Sequence, residues 1–176
     1  MKLQDIKIYV INLERRQDRL RDINQMLEGY NWERINAVDH TKGYVGCVQS
    51  HIKCLQKAKA EGLSEVIILE DDHIFVNEKE FKYPVDCDVC LLTGKNIKGI
   101  NIDEDFIKIT SARHTDAYLV KNHYYSSMIE CFTNSLSELL TNYKLENYLD
   151  NYWDKYMKKD NFICLRKLIG YQREGF

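Results

Sequence analysis

The run Val66-Ile67-Ile68-Leu69, closed by Glu70-Asp71-Asp72, constrains this chain most. Four consecutive branched apolar residues leave no polar face, so the segment reads as a strand buried on both sides, as in parallel sheets. Such a strand needs helices above and below it. Three carboxylates where it leaves the core fall at its carboxyl end, the edge at which open α/β sheets bind ligands. There they can hold a divalent cation, and the cation can hold a diphosphate.

The rest of the first half fits that frame. Residues 6–13 are apolar enough for a second buried strand, and Leu20, Ile23, Leu27 and Tyr30 then recur at helical spacing. Residues 35–38 read as a short strand. Val45, Val48, Ile52, Leu55 and Ala58 mark another amphipathic helix, stopped near Gly62. Strand and helix alternate as in a βαβ sheet with right-handed crossovers. The second half is less regular. Strands are predicted at 89–92, 106–109, 117–120 and, last, 162–165. A long helix is predicted through Tyr125, Met128, Ile129, Phe132, Leu136, Leu139 and Leu140, and an aromatic one through Tyr148, Tyr152 and Tyr156. Burial preference assigns the aromatic stripe to the core rather than to a ligand platform.

Length and composition exclude several classes. A chain of 176 residues with 44% apolar and 30% charged residues is expected to form one globular domain, and its lone Pro84 and lack of low-complexity segments mark no linker. A net charge of −2 gives no bulk attraction to nucleic acid. No apolar stretch approaches the roughly 20 residues of a membrane span. The start, Met1-Lys2-Leu3-Gln4-Asp5, lacks a signal-peptide core, so the expected location is cytoplasmic. Cys47, Cys54, Cys87, Cys90, Cys131 and Cys164 are expected to be reduced and mostly buried. The lone Cys87-x-x-Cys90 has no partner pair to complete a zinc site.

Two charged segments carry candidate chemistry. Asn12-Leu13-Glu14-Arg15-Arg16-Gln17-Asp18-Arg19 follows the first strand, where arginines beside a helix N-terminus favour anions. Read without a ligand, the same run is a solvated helix face with weak surface ion pairs, and taken alone that reading is favoured. For Glu70-Asp71-Asp72 the alternative is a turn or helix cap, which accounts for one acid but leaves three repelling carboxylates. A cation among them resolves the repulsion, and oxygen ligands favour Mg²⁺ or Mn²⁺ over zinc. His51 reads as a satisfied helical histidine. His114, Asp116, Asp150 and Asp154 remain candidates for acid–base or metal roles. Thr93-Gly94-Lys95 lacks the rest of a Walker loop, and neither G-x-G-x-x-G nor G-x-S-x-G is present.

In order and spacing, these segments resemble glycosyltransferase family 25, the lipooligosaccharide and procollagen galactosyltransferases. The matching text is Ile8-Tyr9-Val10-Ile11-Asn12-Leu13 with Arg15, Arg16 and Arg19, then Arg34-Ile35-Asn36-Ala37-Val38-Asp39, then Gly46-Cys47-Val48-Gln49-Ser50-His51, then Ile68-Leu69-Glu70-Asp71-Asp72. It continues more loosely through Thr115-Asp116-Ala117-Tyr118-Leu119-Val120 and Leu149-Asp150-Asn151-Tyr152-Trp153. The resemblance implies an α/β chain of GT-A fold with a mainly parallel central sheet flanked by helices. It implies a single glycosyltransferase domain over residues 1–176, read as an excised or compact catalytic module. It also implies an inverting, Mn²⁺- or Mg²⁺-dependent transfer of galactose or a related hexose from a UDP-sugar to a glycan or glycoprotein hydroxyl. By that analogy Asp72 and Glu70 hold the metal. Asn12, Arg16, Arg19, Asp39, Ser50, His51, Glu70 and Asp71 lie around the donor, and Asp150 and Asp116 serve catalysis. The alternatives are a non-catalytic module of the same fold that binds nucleotide-sugar or a protein, and a nucleotidyltransferase, for which a triphosphate loop is missing.

Overall fold

A computed structural model describes residues 3–76, 86–114 and 116–173; Met1, Lys2, Pro84, Thr115 and residues 174–176 lie outside them. The strands are β1 (Ile8–Asn12), β2 (Trp32–Asn36), β3 (Glu65–Glu70), β4 (His73–Phe75), β5 (Val89–Leu91), β6 (Lys95–Asn101), β7 (Phe106–Arg113), β8 (Ala117–Lys121), β9 (Phe162–Leu165) and β10 (Gly170–Gln172). The helices are α1 (Gln17–Met26), α2 (Gly43–Ala60), α3 (Tyr125–Thr141), α4 (Leu149–Tyr152) and α5 (Asp154–Met157). Eight strands form one sheet in the order β2-β1-β3-β8-β5-β9-β7-β6, while β4 and β10 pair apart.

Alternation along the buried strands sorts their side chains between two cores. Tyr9 and Ile11 of β1, Val66 and Ile68 of β3, and Tyr118 and Val120 of β8 face α2 and α3. Ile8 and Val10, Ile67 and Leu69, and Ala117 and Leu119 face the side covered by α1, through Ile23 and Leu27. The apolar run at 66–69 is therefore a strand buried on both faces, as its composition predicts.

β1 pairs in parallel with both β2 and β3, so the chain steps outward to β2 and returns across β1 to β3. The two crossover helices lie on opposite faces, as right-handed connections running in opposite directions require. That reversal is a topological switch point, and it opens a crevice at the carboxyl ends of β1 and β3. Past β3 the sheet is mixed. β8 runs antiparallel to β3 and β5, β9 is parallel to β5, and β7 is antiparallel to β9 and β6.

Several elements differ from expectation. β4 and β10 are additional short strands, so the strand at 162–165 is not the last. β6 carries no apolar run because it is an exposed edge strand whose register shifts twice; its lysines suit an edge. β2 begins at Trp32, and Ala37 and Val38 belong to the loop beyond it. The aromatic helix is two short helices meeting at Trp153, whose ring is fully buried against Tyr118, Phe132 and Phe162. All six cysteines are free thiols, and Cys87 and Cys90 are buried, in keeping with a structural role.

Trp153 joins α4 and α5 to the sheet face beneath them. Trp153→Ala is expected to lower stability by about 3–5 kcal/mol, seen as an earlier urea midpoint at unchanged slope.

Candidate active site at the switch point

Asn12 closes β1 with its amide fully buried. Its Nδ2 donates to Asp71 Oδ2 at 2.8 Å and to the Arg16 carbonyl at 3.1 Å, and its Oδ1 accepts from Arg34 Nε at 2.9 Å. One side chain thus ties β1 to the start of α1, to β2 and to the acid after β3. Arg19 adds a second tie, donating from Nη1 to Asp71 Oδ1 at 2.5 Å and to Asp72 Oδ2 at 3.3 Å. Both Arg19 and Asp71 are nearly buried, so Asp71 is committed to holding Arg19 and Asn12 in place.

The segment Gly46–His51 works through two faces of α2. Gly46 and Ser50, one turn apart, face the loop after β2. Ser50 Oγ donates to the Gly46 carbonyl at 2.6 Å and accepts the Val38 N–H at 2.8 Å. A Cβ on Gly46 would lie 2.3 Å from the Val38 carbonyl oxygen, so glycine lets this loop lie on the helix. Cys47 and His51, also one turn apart, face the acids. The fully buried His51 ring stacks on Tyr118, with Nδ1 2.7 Å from the Tyr118 hydroxyl and Nε2 3.3 Å from Glu70 Oε1. Burial holds the Tyr118 phenol protonated by pushing its pKa well up. The Tyr118 hydroxyl and Glu70 Oε1 thus engage the two ring nitrogens, the direction of each bond being set by the imidazole tautomer.

Two clefts meet at Glu70. The first is lined by Arg15, Arg19, the backbone side of Ala37 to Asp39, Cys47 and Glu70. The second is lined by Tyr44, Cys47, Glu70, His114, Tyr148 and Asp150, with Gln172 at its margin. Asp72 lies beside it in a third hollow with Gln172, His114 and Lys95. Burial, followed by the charges of Glu70, Asp150 and Asp72, pushes the Cys47 thiol well above its usual range.

The individual residues differ in their freedom. Asp72 is pushed up to about 6 by burial first and by Glu70 next, with Arg19 opposing. Gln172 Nε2 approaches both of its oxygens at 3.5 Å. Asp150 Oδ2 accepts the His114 N–H at 3.4 Å, and its backbone carbonyl accepts from Arg113, which is paired with Asp154 at 3.0 Å. Asp116 is fully buried beneath the clefts, accepting from Thr93 Oγ1 at 2.8 Å and lying 2.9 Å from His73 Nδ1. Arg16 is paired with Asp18 on the surface, holding that carboxyl well below its usual range, and Asp39 is paired with Arg15. The solvated-face reading describes Arg16, whereas Arg19 turns inward.

A metal has two possible ligand sets around Glu70. Cys47, His51 and Glu70 offer atoms within 4.8 Å of one another. The hydrogen-bond network already occupies both His51 nitrogens, and burial disfavours the thiolate of Cys47. Glu70 with Asp72 supplies hard oxygen donors whose mutual repulsion a divalent cation relieves, so the acid pair fits Mn²⁺ or Mg²⁺ better. Cys47, Tyr118 and Gln172 were missed as site residues from sequence. The i, i+4 spacing of Cys47 and His51 was the available signal for the first.

Neighbouring acids should respond in opposite ways. The Asp72 pKa is raised in the folded state, so its burden is full above about pH 6 and fades as pH falls toward its ordinary value near 4. Asp72→Asn is expected to stabilise the protein by about 1–3 kcal/mol at pH 7, the gain shrinking toward pH 4. Asp71→Asn leaves Arg19 short of its partner and is expected to cost about 2–4 kcal/mol. Urea denaturation at pH 7, 5.5 and 4 reads both signs.

Comparison with known proteins bears on this geometry. The family model described as Glycosyltransferase family 25 (LPS biosynthesis protein) matches residues 39–87, which span the Gly46–His51 segment and the acid triplet. No curated protein matches the chain by sequence. Among solved structures, it is similar to a glycosyltransferase involved in the glycosylation of the major capsid of PBCV-1, at 14% identity and a TM-score of 0.57, covering 90% of this chain and 80% of that one. It is also similar to the glycosyltransferase GlyE of Streptococcus pneumoniae TIGR4, at 13% identity and a TM-score of 0.50, covering 91% of this chain but 38% of that one. The fold is thus the GT-A-type α/β fold. Fold and family segment agree: the chain has the fold of these glycosyltransferases, and its residues 39–87 match the family 25 model.

Proposed function

We propose that the chain transfers a hexose from a UDP-sugar to a hydroxyl of a glycan or glycoprotein, with inversion at the anomeric carbon and with a divalent cation. The observation that carries this reading is that Glu70 lines both clefts at the switch point, with Asp150 in the second and Asp72 in the hollow that shares His114 and Gln172 with it.

The first cleft suits the donor. Arg15 and Arg19 give it cationic groups near the phosphates, and the loop after β2, held by Ser50 and Gly46, forms its wall. Asn12 and Asp71 act on the donor only through Arg19 and the backbone they fix. Asp72 and Glu70 would hold the cation, which when bound neutralises the departing diphosphate as a Lewis acid. His51 fixes the direction of Glu70 by hydrogen-bonding to it.

The second cleft suits the acceptor. Asp150 takes the proton from the acceptor hydroxyl as its oxygen bonds to the anomeric carbon and the bond to the diphosphate breaks. Arg113 and the His114 N–H hold Asp150 for this role. Asp116 is too enclosed to touch an acceptor; it positions the backbone beside Glu70, accepting through its carbonyl from the Glu70 N–H at 2.8 Å.

Calorimetry with UDP-, GDP- and CMP-sugars, with and without Mn²⁺, tests the donor assignment. UDP-sugar binding that needs the ion is expected, with a loss of at least tenfold in Asp72→Asn and no change in Cys47→Ser. A loss in Cys47→Ser instead would move the ion to the Cys47, His51 and Glu70 set. Asp150→Asn is expected to keep donor binding while kcat falls by about 10²–10⁴. Binding of no nucleotide-sugar would favour the partner-binding module.

A further inference from the structure

Three tyrosines from separate segments converge beside Asp150. Tyr44 lies in the first turn of α2, Tyr143 follows the end of α3, and Tyr148 precedes α4. Their ring centroids are 5.0 Å apart for Tyr44 and Tyr143, 5.3 Å for Tyr44 and Tyr148, and 5.9 Å for Tyr143 and Tyr148. The hydroxyls of Tyr143 and Tyr148 are hydrogen-bonded at 2.5 Å. The cluster sits at the rim of the core: Tyr143 is 59% exposed, while the half-buried Tyr44 and Tyr148 pack against the core and also line the second cleft with Glu70 and Asp150. The burial expectation for this aromatic segment holds for Tyr152, which is buried, and in part for Tyr148 and Tyr156, which are half-buried against the core.

We infer that Tyr44, Tyr143 and Tyr148 form the platform on which a neutral pyranose of the acceptor stacks. This rests on the transferase reading above and names the acceptor class for that site. A pyranose presents an apolar C–H face and a rim of hydroxyls. Aromatic faces match the first, and their partly exposed rings bury area at little entropic cost on contact. Asp150, Glu70 and the Gln172 amide match the second, since carboxylates accept hydroxyl hydrogen bonds strongly. Charge narrows the class further. Two carboxylates line this cleft, and among the described lining residues there is no lysine or arginine. A phosphorylated or sialylated acceptor would bring its charge against those two carboxylates, whereas a neutral sugar would meet no such penalty, so the sugar that stacks is uncharged.

Saturation-transfer NMR on the full chain, with UDP and Mn²⁺ present, tests the platform. The probes are methyl β-galactoside, methyl β-glucoside, N-acetylglucosamine, lactose and galactose 6-phosphate. At least one neutral pyranoside is expected to bind through its C–H protons, and galactose 6-phosphate at least tenfold more weakly. Tyr148→Ala and the exposed Tyr143→Ala are each expected to weaken that binding about tenfold. Tyr148→Phe, which keeps the ring, should stay near wild type, and calorimetric UDP binding should not move in any of them. The proposal is overturned if UDP binds but no neutral pyranoside does, if both alanine variants bind sugar as wild type, or if the anionic sugar binds best. Pyranoside binding without any UDP binding would keep the platform and overturn the transferase reading instead.

Discussion

The buried amide of Asn12 is the joint on which the site depends. It accepts from one strand's arginine, donates to the first turn of a helix, and donates to an acid from a third segment, all within one side chain's reach. Each of those groups would be costly to bury alone, because unpaired polar groups in a low-dielectric interior lose their hydration without return. Asn12 converts three liabilities into a rigid corner at the switch point. Arg19 then closes the corner by neutralising Asp71, leaving Asp72 and Glu70 as the acids whose charge is less fully answered from within the protein.

Much of this was legible in the sequence because it follows from burial. The strand at 66–69, the two crossover helices and the acids at the strand end all express the need of a two-faced strand for cover on both sides. The Gly46–His51 segment was legible as a pattern, but its logic needed the fold: which side of α2 meets the loop and which meets the acids is set by how the helix packs. β6 was invisible because an edge strand is selected for polarity and not for apolar content. The roles of Asp71 and Asp72 could not be separated in sequence, since adjacent aspartates look alike until one of them is seen to hold Arg19 and Asn12.

The two clefts also divide the work by charge. The first cleft carries both arginines, each paired with an aspartate of the same lining, whereas the tyrosine side holds two carboxylates and no lysine or arginine among its described residues. Glu70 lies on the boundary, and His51 sets its orientation.

His51 reaches further than the site. Its other nitrogen is engaged by Tyr118, whose ring meets Trp153 edge-on in the centre of the core. The direction of Glu70 is therefore inherited from core packing. Along this row, a substitution that re-aims Glu70 also disturbs the core, so the row is closed to gradual change. The tyrosine rim is set differently: Tyr44 stands in the first turn of α2, while Tyr143 and Tyr148 come from the chain between α3 and α4. Under the proposed function, exchanges in that connecting segment would change what the second cleft accepts while the row behind Glu70 stays in place.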